Sequence, residues 1–332
     1  MATYKGIQGF TIQNLSADPS NPIEGQVWYN STSNVWKVEE ATTVGAWASG
    51  GTMTTARQGL AGAGTQTAGL AFSGYSAPTG FTGATEEYNG SSWSTGGTMA
   101  AARANAAGLG TQTAGLVTGG EVDVPANPTF LNTTEEYNGA SWTSGGTIVT
   151  TRQGLAGCGI QTAGLISGGL TPPATYSSAT EEYDGATWTT GGSLGTARQQ
   201  QVNVGTQTAG LAFGGSTGAY TNVTEEYDGS SWTASGNMNT ARSQLRGAGI
   251  QTAAVGFGGN ASLSPPVTGL TEEYNGATWT TSPASLNTAR SLHAGAGTQP
   301  AALAFGGQPP TTGATEEWTG AGAAVTKTIT VS

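Results

Sequence analysis

The residues able to do ionic or acid–base chemistry fall into a pattern. Glu-Glu pairs stand at Glu39-Glu40, Glu86-Glu87, Glu135-Glu136, Glu181-Glu182, Glu225-Glu226, Glu272-Glu273 and Glu316-Glu317, and arginines at Arg57, Arg103, Arg152, Arg198, Arg242 and Arg290. Two carboxylates flanking one bond are the equipment of glycoside hydrolysis. Neighbours on an extended strand, however, point to opposite faces, so an adjacent pair cannot flank a scissile bond. The pair also recurs throughout, whereas function sits where a fold breaks its own regularity. A buried arginine needs a carboxylate or several carbonyls around it. The pattern therefore predicts that each repeat arginine pairs with a glutamate or with backbone carbonyls and pins adjacent units. The alternative is a ring of six guanidinium groups open to an axial channel and holding an anion, against their mutual repulsion. Only Glu121 and Asp123 form an irregular carboxylate pair outside the repeat. One histidine, His293, cannot make a His-rich zinc or iron site, and one cysteine, Cys158, excludes an intramolecular disulfide. His293 occupies the slot of Leu60 and Leu155, which predicts a partly buried structural side chain. Cys158 takes a slot held by Ala63, Ala248 and Ala296, a small buried position.

The elements that carry these groups are repeats. Thr85–Trp93 reads TEEYNGSSW and returns at Thr134–Trp142, Thr180–Trp188, Thr224–Trp232 and Thr271–Trp279, with a degenerate TEEW from Thr315. Trp47, Trp93, Trp142, Trp188, Trp232 and Trp279 recur every 44–49 residues, a period that means a repeat architecture. Asn89-Gly90 and its counterparts signal a two-residue type I′ hairpin, which sets Glu86 opposite Trp93 and puts Glu86, Tyr88, Ser91 and Trp93 on one face. Before each hairpin, a segment such as Arg57–Phe72 reads as two strands joined at Gly-Thr-Gln-Thr. Its first strand is mostly Gly and Ala, as the crowded axis of a ring requires, and its second ends in Gly-Gly, or Ser73-Gly74 in the first unit. Four strands per unit and six units predict an all-β fold, a six-bladed β-propeller of four-stranded blades.

Gly-Gly after the second strand, Tyr in the third and Trp in the fourth resemble the kelch repeat over residues 35–332, with an unusually short turn between strands three and four. The WD40 repeat is disfavoured, since no unit carries a Gly-His…Trp-Asp pair. The kelch blade is also that of galactose oxidase, but a copper radical site needs two histidines and a cysteine joined to a ligand tyrosine, which this chain cannot supply. Sialidase propellers carry Ser-x-Asp-x-Gly-x-Thr-Trp boxes and an asymmetric arginine triad. Here Tyr183-Asp-Gly-Ala-Thr-Trp188 has the wrong spacing and the arginines are equivalent. The whole wording of the repeat, together with Asp18–Thr32, looks like kelch-like virion proteins of marine bacteriophages. That resemblance implies a virion location and a non-enzymatic tail-fibre, decoration or receptor-binding role. A glycan-active enzyme with its site in one atypical blade is the alternative, and Glu121 and Asp123 are its only candidates.

The net charge of −10 comes mostly from the Glu-Glu pairs net of the repeat arginines, so it is a property of the repeat rather than a sign of a basic partner. Ten basic residues without a basic run give nucleic-acid binding no support. No signal-peptide or membrane-spanning run is seen, and no cofactor or metal is expected. Expected partners are other virion proteins and host-surface glycans, with self-assembly into a homo-oligomer left open. Residues 1–34 are predicted to form a separate attachment segment with a hairpin across Asn30–Asn34. Its aromatics Trp28, Tyr29 and Trp36 need cover from the propeller or from another virion protein. Val38-Glu39-Glu40 and Trp47 read as a hairpin-like half blade, and Trp47's strand and the strands at the C-terminus should meet in the sixth blade. Insertions between strands two and three (Tyr75–Gly83, Glu121–Thr133, Leu170–Ala179, Ser216–Val223, Asn260–Leu270 and Gln308–Ala314) hold most prolines and the loop aromatics. Strand alternation puts them on one side of the disc and the uniform turns on the other. Phe81, Phe130, Tyr176 and Tyr220 are the candidate binding residues, since loops on a rigid scaffold collect binding groups. Drift of unconstrained loops is the competing explanation.

Overall fold

The Thr-Glu-Glu-Tyr hairpin shows how the fold is built. In the computed structural model, which describes residues 13–19, 26–41, 44–122, 129–262, 266–322 and 324–329, Thr85–Tyr88 pairs with Trp93–Thr95 so that Tyr88 faces Trp93 and Glu86 faces Thr95. The expected two-residue turn is therefore replaced by a four-residue loop, Asn89–Ser92. Of its residues only Gly90 has a positive φ, 88°, whereas type I′ needs two. The Asn89 side chain is the cause: its Oδ1 accepts the Ser91 and Ser92 amides at 3.0 and 2.9 Å, an Asx turn that closes the loop. The new register sets the rings of Tyr88 and Trp93 4.9 Å apart. Tyr137–Trp142, Tyr183–Trp188, Tyr227–Trp232 and Tyr274–Trp279 repeat it.

Residues 46–318 form one compact unit. Among the described residues its repeats make six four-stranded antiparallel sheets, five of them in simple chain order. In the first, Ala61–Gly64, Gly69–Phe72, Thr85–Tyr88 and Trp93–Thr95 lie side by side. The second strands supply the core. Leu70, Leu116, Leu165, Leu211, Val255 and Leu303 are all fully buried, each such side chain contributing about 1.5–3 kcal/mol. The first strands are small because neighbouring sheets touch there. A Cβ on Gly62, Gly108 or Gly247 would meet Phe305, Phe72 or Phe213 of the preceding sheet at 2.6–2.7 Å. The Gly-Gly that follows strand two is left-handed at both residues, for instance Gly119 (φ 64°) and Gly120 (φ 88°). Ser73 (φ 62°) holds that conformation in the first unit.

Each first strand neighbours the next around a complete cycle, the sixth returning to the first. Where these strands begin, six peptide groups form a closed hydrogen-bonded ring. Asn105 N–H donates to Gly59 C=O, Gly154 to Asn105, Gln200 to Gly154, Gln244 to Gln200, Leu292 to Gln244 and Gly59 to Leu292, at 2.7–3.1 Å. All six residues have φ between 53° and 63°. For Leu292 and its non-glycine counterparts that conformation costs about 1–2 kcal/mol each, offset by the bonds it makes possible.

The sixth sheet takes its outer strand from early in the chain: Ala46–Ser49 lies beside Thr315–Thr319. The last strand of the chain, Ala324–Ile329, does not join it, contrary to the sequence reading. It pairs antiparallel with Val35–Ala41. Nor do Val35–Ala41 and Ala46–Ser49 form a half blade, because Val35–Ala41 belongs with Val27–Asn30. The division of the chain thus falls at Gly45 rather than at residue 34, and residues 1–45 with 319–332 make the second unit. This unit holds a sheet of Gln13–Leu15, Val27–Asn30, Val35–Ala41 and Ala324–Ile329, the first pair parallel. The expected hairpin is present, with Asn30 opposite Val35. Trp28 is fully buried and donates Nε1–H to Asp18 at 3.1 Å. Hydrogen bonds from Lys37, then Asn30 and Trp28, hold the Asp18 carboxyl down at about 2.

Candidate functional site

The six repeat arginines precede the first strands and are 0–1% exposed. Arg57, Arg103, Arg152, Arg198 and Arg242 meet Glu86, Glu135, Glu181, Glu225 and Glu272 at 2.7–3.2 Å, and Arg290 meets Glu316. Burial lowers the Arg57 pKa to about 10 while Glu86 opposes that shift. The same glutamates accept backbone amides, as Glu86 does from Thr54 at 2.6 Å. The open ring of guanidinium groups is thereby overturned, because each charge is covered and neutralised inside its own sheet. Pinning of adjacent units runs instead through the arginine backbone. The carbonyls of Arg57, Arg103, Arg152, Arg198, Arg242 and Arg290 accept the second glycine amide of the preceding unit at 2.7–2.9 Å.

Three further side chains of each repeat fasten neighbouring sheets. The glutamine of each Thr-Gln turn, such as Gln112, donates to two carbonyls of the preceding sheet, here Gly69 and Tyr88. Each hairpin tryptophan donates Nε1–H to the threonine of the preceding Thr-Glu-Glu at 2.8–3.0 Å. Trp47, bonded to Thr271, occupies this place for the sixth sheet. The tyrosines donate to the second glutamate of the preceding sheet at 2.5–2.6 Å: Tyr88 to Glu317, Tyr137 to Glu87, Tyr183 to Glu136, Tyr227 to Glu182 and Tyr274 to Glu226. The Glu-Glu pair is thus split, one carboxylate holding its own arginine and the other a neighbour's phenol. That arrangement is scaffold chemistry.

The scaffold breaks its regularity between the fifth and sixth sheets. Trp318 stands where a tyrosine is due and turns its Nε1–H to Gln299 C=O. Glu273 consequently has no phenol, and burial raises its pKa. His293 is fully rather than partly buried and packs on the Phe257 ring at 5.6 Å. Burial, then Arg246, Arg290 and Arg242, keep it well below the ordinary imidazole range and therefore neutral. Cys158 is buried, and burial pushes its thiol up to about 12, so it is a packing residue and not a nucleophile. Among the described residues no three His, Cys, Asp or Glu side chains gather as a metal site.

Sequence reasoning passed over Arg246. It is the seventh arginine, in the slot of Ala61, Ala107, Ala156, Val202 and Ala294, and that departure from the repeat was the available signal. It lines a cavity of about 180 Å³ enclosed by the six first strands. Its Nη1 donates to Leu245 C=O at 2.8 Å, and among the described residues no carboxylate lies within ion-pair distance.

The insertions fold into small ribbons, Tyr75–Ser76 with Gly80–Phe81, Glu121–Val122 with Thr129–Phe130, and Leu170–Thr171 with Thr175–Tyr176, while Tyr220 bridges Ser216. Each ribbon is anchored by a bridge to the residue after the repeat arginine, as Tyr75 is to Gln58. Phe81, Phe130, Tyr176 and Tyr220 are all partly exposed. Phe81 stands edge-on to Tyr75 at 5.9 Å, and Phe130 faces Glu121 in register. Tyr176 reaches the fourth insertion, since a Cβ on Gly218 would lie 3.8 Å from its hydroxyl. The structure therefore joins Tyr176 with the Tyr220 loop and leaves Phe81 and Phe130 on separate ribbons. Glu121 accepts Asn105 Nδ2–H at 2.7 Å, and Asp123 lies outside the described residues.

No protein-family model and no curated protein matches the chain. Among solved structures it is similar to YjhT, with a TM-score of 0.68 and 11% identity over 83% of this chain and 99% of that one. At that identity the likeness speaks to the fold alone, and together with the four-stranded sheets it makes residues 46–318 a β-propeller.

Proposed function

We propose that this chain is a six-bladed, kelch-like propeller acting as a non-enzymatic interaction platform on a bacteriophage particle, with the insertion ribbons meeting host-surface glycans. One observation carries the reading: the repeated groups that could do chemistry are consumed by the scaffold, while the variable insertions leave aromatic side chains partly exposed. Every repeat arginine holds a carboxylate, and five of the second glutamates hold a phenol. Phe81, Phe130, Tyr176 and Tyr220 offer apolar ring faces of the kind that stack on sugars, on ribbons already ordered by backbone bridges, which lowers the entropy cost of binding. The virion setting rests on the resemblance of the repeat wording and of Asp18–Thr32 to phage kelch-like proteins.

The test is binding of the purified full chain to immobilised bacterial surface polysaccharide. Replacing Phe81, Phe130, Tyr176 and Tyr220 together by Ala is expected to abolish binding, and the single changes to weaken it. The opposite side carries Ile160 and Ile250, which end their first strands beside the Gln-Thr turns and are each 53% exposed. Binding that survives the quadruple change but is lost in Ile160→Asp with Ile250→Asp would place the contact on the wrong side of the disc for this reading.

A further inference from the structure

The axial cavity is built asymmetrically, and its asymmetry is a charge. Five of the six first strands present Ala or Val in the slot where the fifth presents Arg246. Every other arginine has a glutamate, whereas Arg246 has the Leu245 carbonyl. Burial lowers its pKa only to about 10, so the guanidinium is charged at neutral pH. The residue sits deep in the unit yet stays partly exposed, because the space beside it is the cavity it lines. An unpaired cation in such a place is costly unless something of opposite charge or several dipoles compensate it. Gln200 lines the same cavity. It gives its Oε1 to Gln244 Nε2–H at 3.1 Å, which leaves its own amide hydrogens uncommitted among the described residues. The first strands add the row of peptide groups that an edge strand turns away from its partner.

The cavity also has a direction. Asn105, Gly154, Gln200 and Leu292 line one end, and these belong to the ring of six linked peptides, which leaves no gap between successive strands. The other end is lined by Gly64, Gly110, Gly159, Gly205, Gly249 and Gly297, beside the short Thr-Gln turns.

We infer that the axial cavity is a binding site for one small oxyanion, with the Arg246 guanidinium as its counter-ion and Gln200 as a further donor. A guanidinium presents parallel N–H groups that match a carboxylate, sulfate or phosphate equally, and about 180 Å³ admits such a group free or at the end of a larger ligand. This site is independent of the insertion ribbons.

The experiment uses the full chain and three probes, acetate, sulfate and inorganic phosphate, titrated against chloride at constant ionic strength by calorimetry and by thermal midpoint. Arg246→Ala restores the residue of four sister units and is expected to fold as the parent does. Arg246→Lys keeps the charge but not the fork. Saturable binding of at least one probe is expected in the parent. It should weaken by roughly ten- to hundredfold in Arg246→Ala, the loss of one charged hydrogen-bonding group, and less in Arg246→Lys. Tighter acetate than sulfate or phosphate assigns a carboxylate ligand, and the reverse a tetrahedral oxyanion. Equal responses of parent and Arg246→Ala would be general salt stabilisation and would overturn the inference, as would no saturable binding of any probe. Should Arg246→Ala not fold, unweakened binding in Gln200→Leu combined with Arg246→Lys overturns it equally.

Discussion

Arg152→Leu isolates the ion pair that the repeat places in every sheet. Arg152 donates Nη1–H to the carbonyls of Gly168 and Ala179 at 2.8 and 2.7 Å and Nη2–H to Glu181 Oε1 at 2.7 Å. Burial lowers its pKa, and Glu181 opposes the shift. Without the guanidinium, Glu181, whose side chain is 2% exposed, keeps only the Val149 and Thr150 amides at 2.6 and 3.4 Å, and the carbonyls of Gly168, Ala179 and Thr150 each lose a donor. Breaking a buried pair from one side costs about 3–5 kcal/mol. At roughly 2–4 °C per kcal/mol for a domain of this size, the thermal midpoint should fall by about 6–20 °C. The double change Arg152→Leu with Glu181→Leu leaves no isolated charge and should recover a large part of that loss. Calorimetric melting of parent, both singles and the double gives the coupling directly. A single-mutant fall under about 3 °C, or a double mutant whose loss equals the sum of the singles, would refute the claim that the charges are compensated by each other.

Two pH-dependent outcomes follow from the neighbouring carboxylates and phenols. Glu273 lacks the phenol that its counterparts have, and burial raises its pKa. An acid raised in the folded state costs nothing below its unfolded pKa and lowers stability as pH climbs toward the folded value. Glu273→Gln should therefore raise the urea midpoint at pH about 7.5 and leave it unchanged near pH 4, around the ordinary carboxylate value; an equal gain at both would show that the charge is irrelevant. Burial first, and the bonds to Glu317, Glu87, Glu136, Glu182 and Glu226 second, push Tyr88, Tyr137, Tyr183, Tyr227 and Tyr274 up to about 12. Their contribution is complete below the unfolded value of about 10 and lost as pH rises from there. In an alkaline titration of phenolate absorbance these five of the ten tyrosines should ionise last and together with unfolding; ionisation near pH 10 in the folded chain would contradict the bonds.

The period of the Trp and Thr-Glu-Glu-Tyr wording by itself determined the repeat, the all-β class, the four strands of a unit and the structural role of the arginines, because each depends on local alternation or on a burial rule that applies equally to every copy. The same reasoning picked out the glycines of the first strands, since close approach of backbones admits few residues. Tertiary structure alone decided the rest. The hairpin register depended on whether the Asn89 side chain or its backbone shaped the turn, and the Oδ1 bonds to Ser91 and Ser92 settled it. The place of the last strand was decided by partnership with Val35–Ala41, a pairing of segments about as far apart as the chain allows, with no local signal. The second glutamates showed their purpose only beside a neighbour's tyrosine, and Glu273 its exception only beside Trp318. Arg246 was legible as a departure from the repeat, but that it lacks a carboxylate and lines a cavity was not. A sequence records which side chain each unit carries, and whether a charge is compensated depends on which groups of other units come within a few ångströms of it.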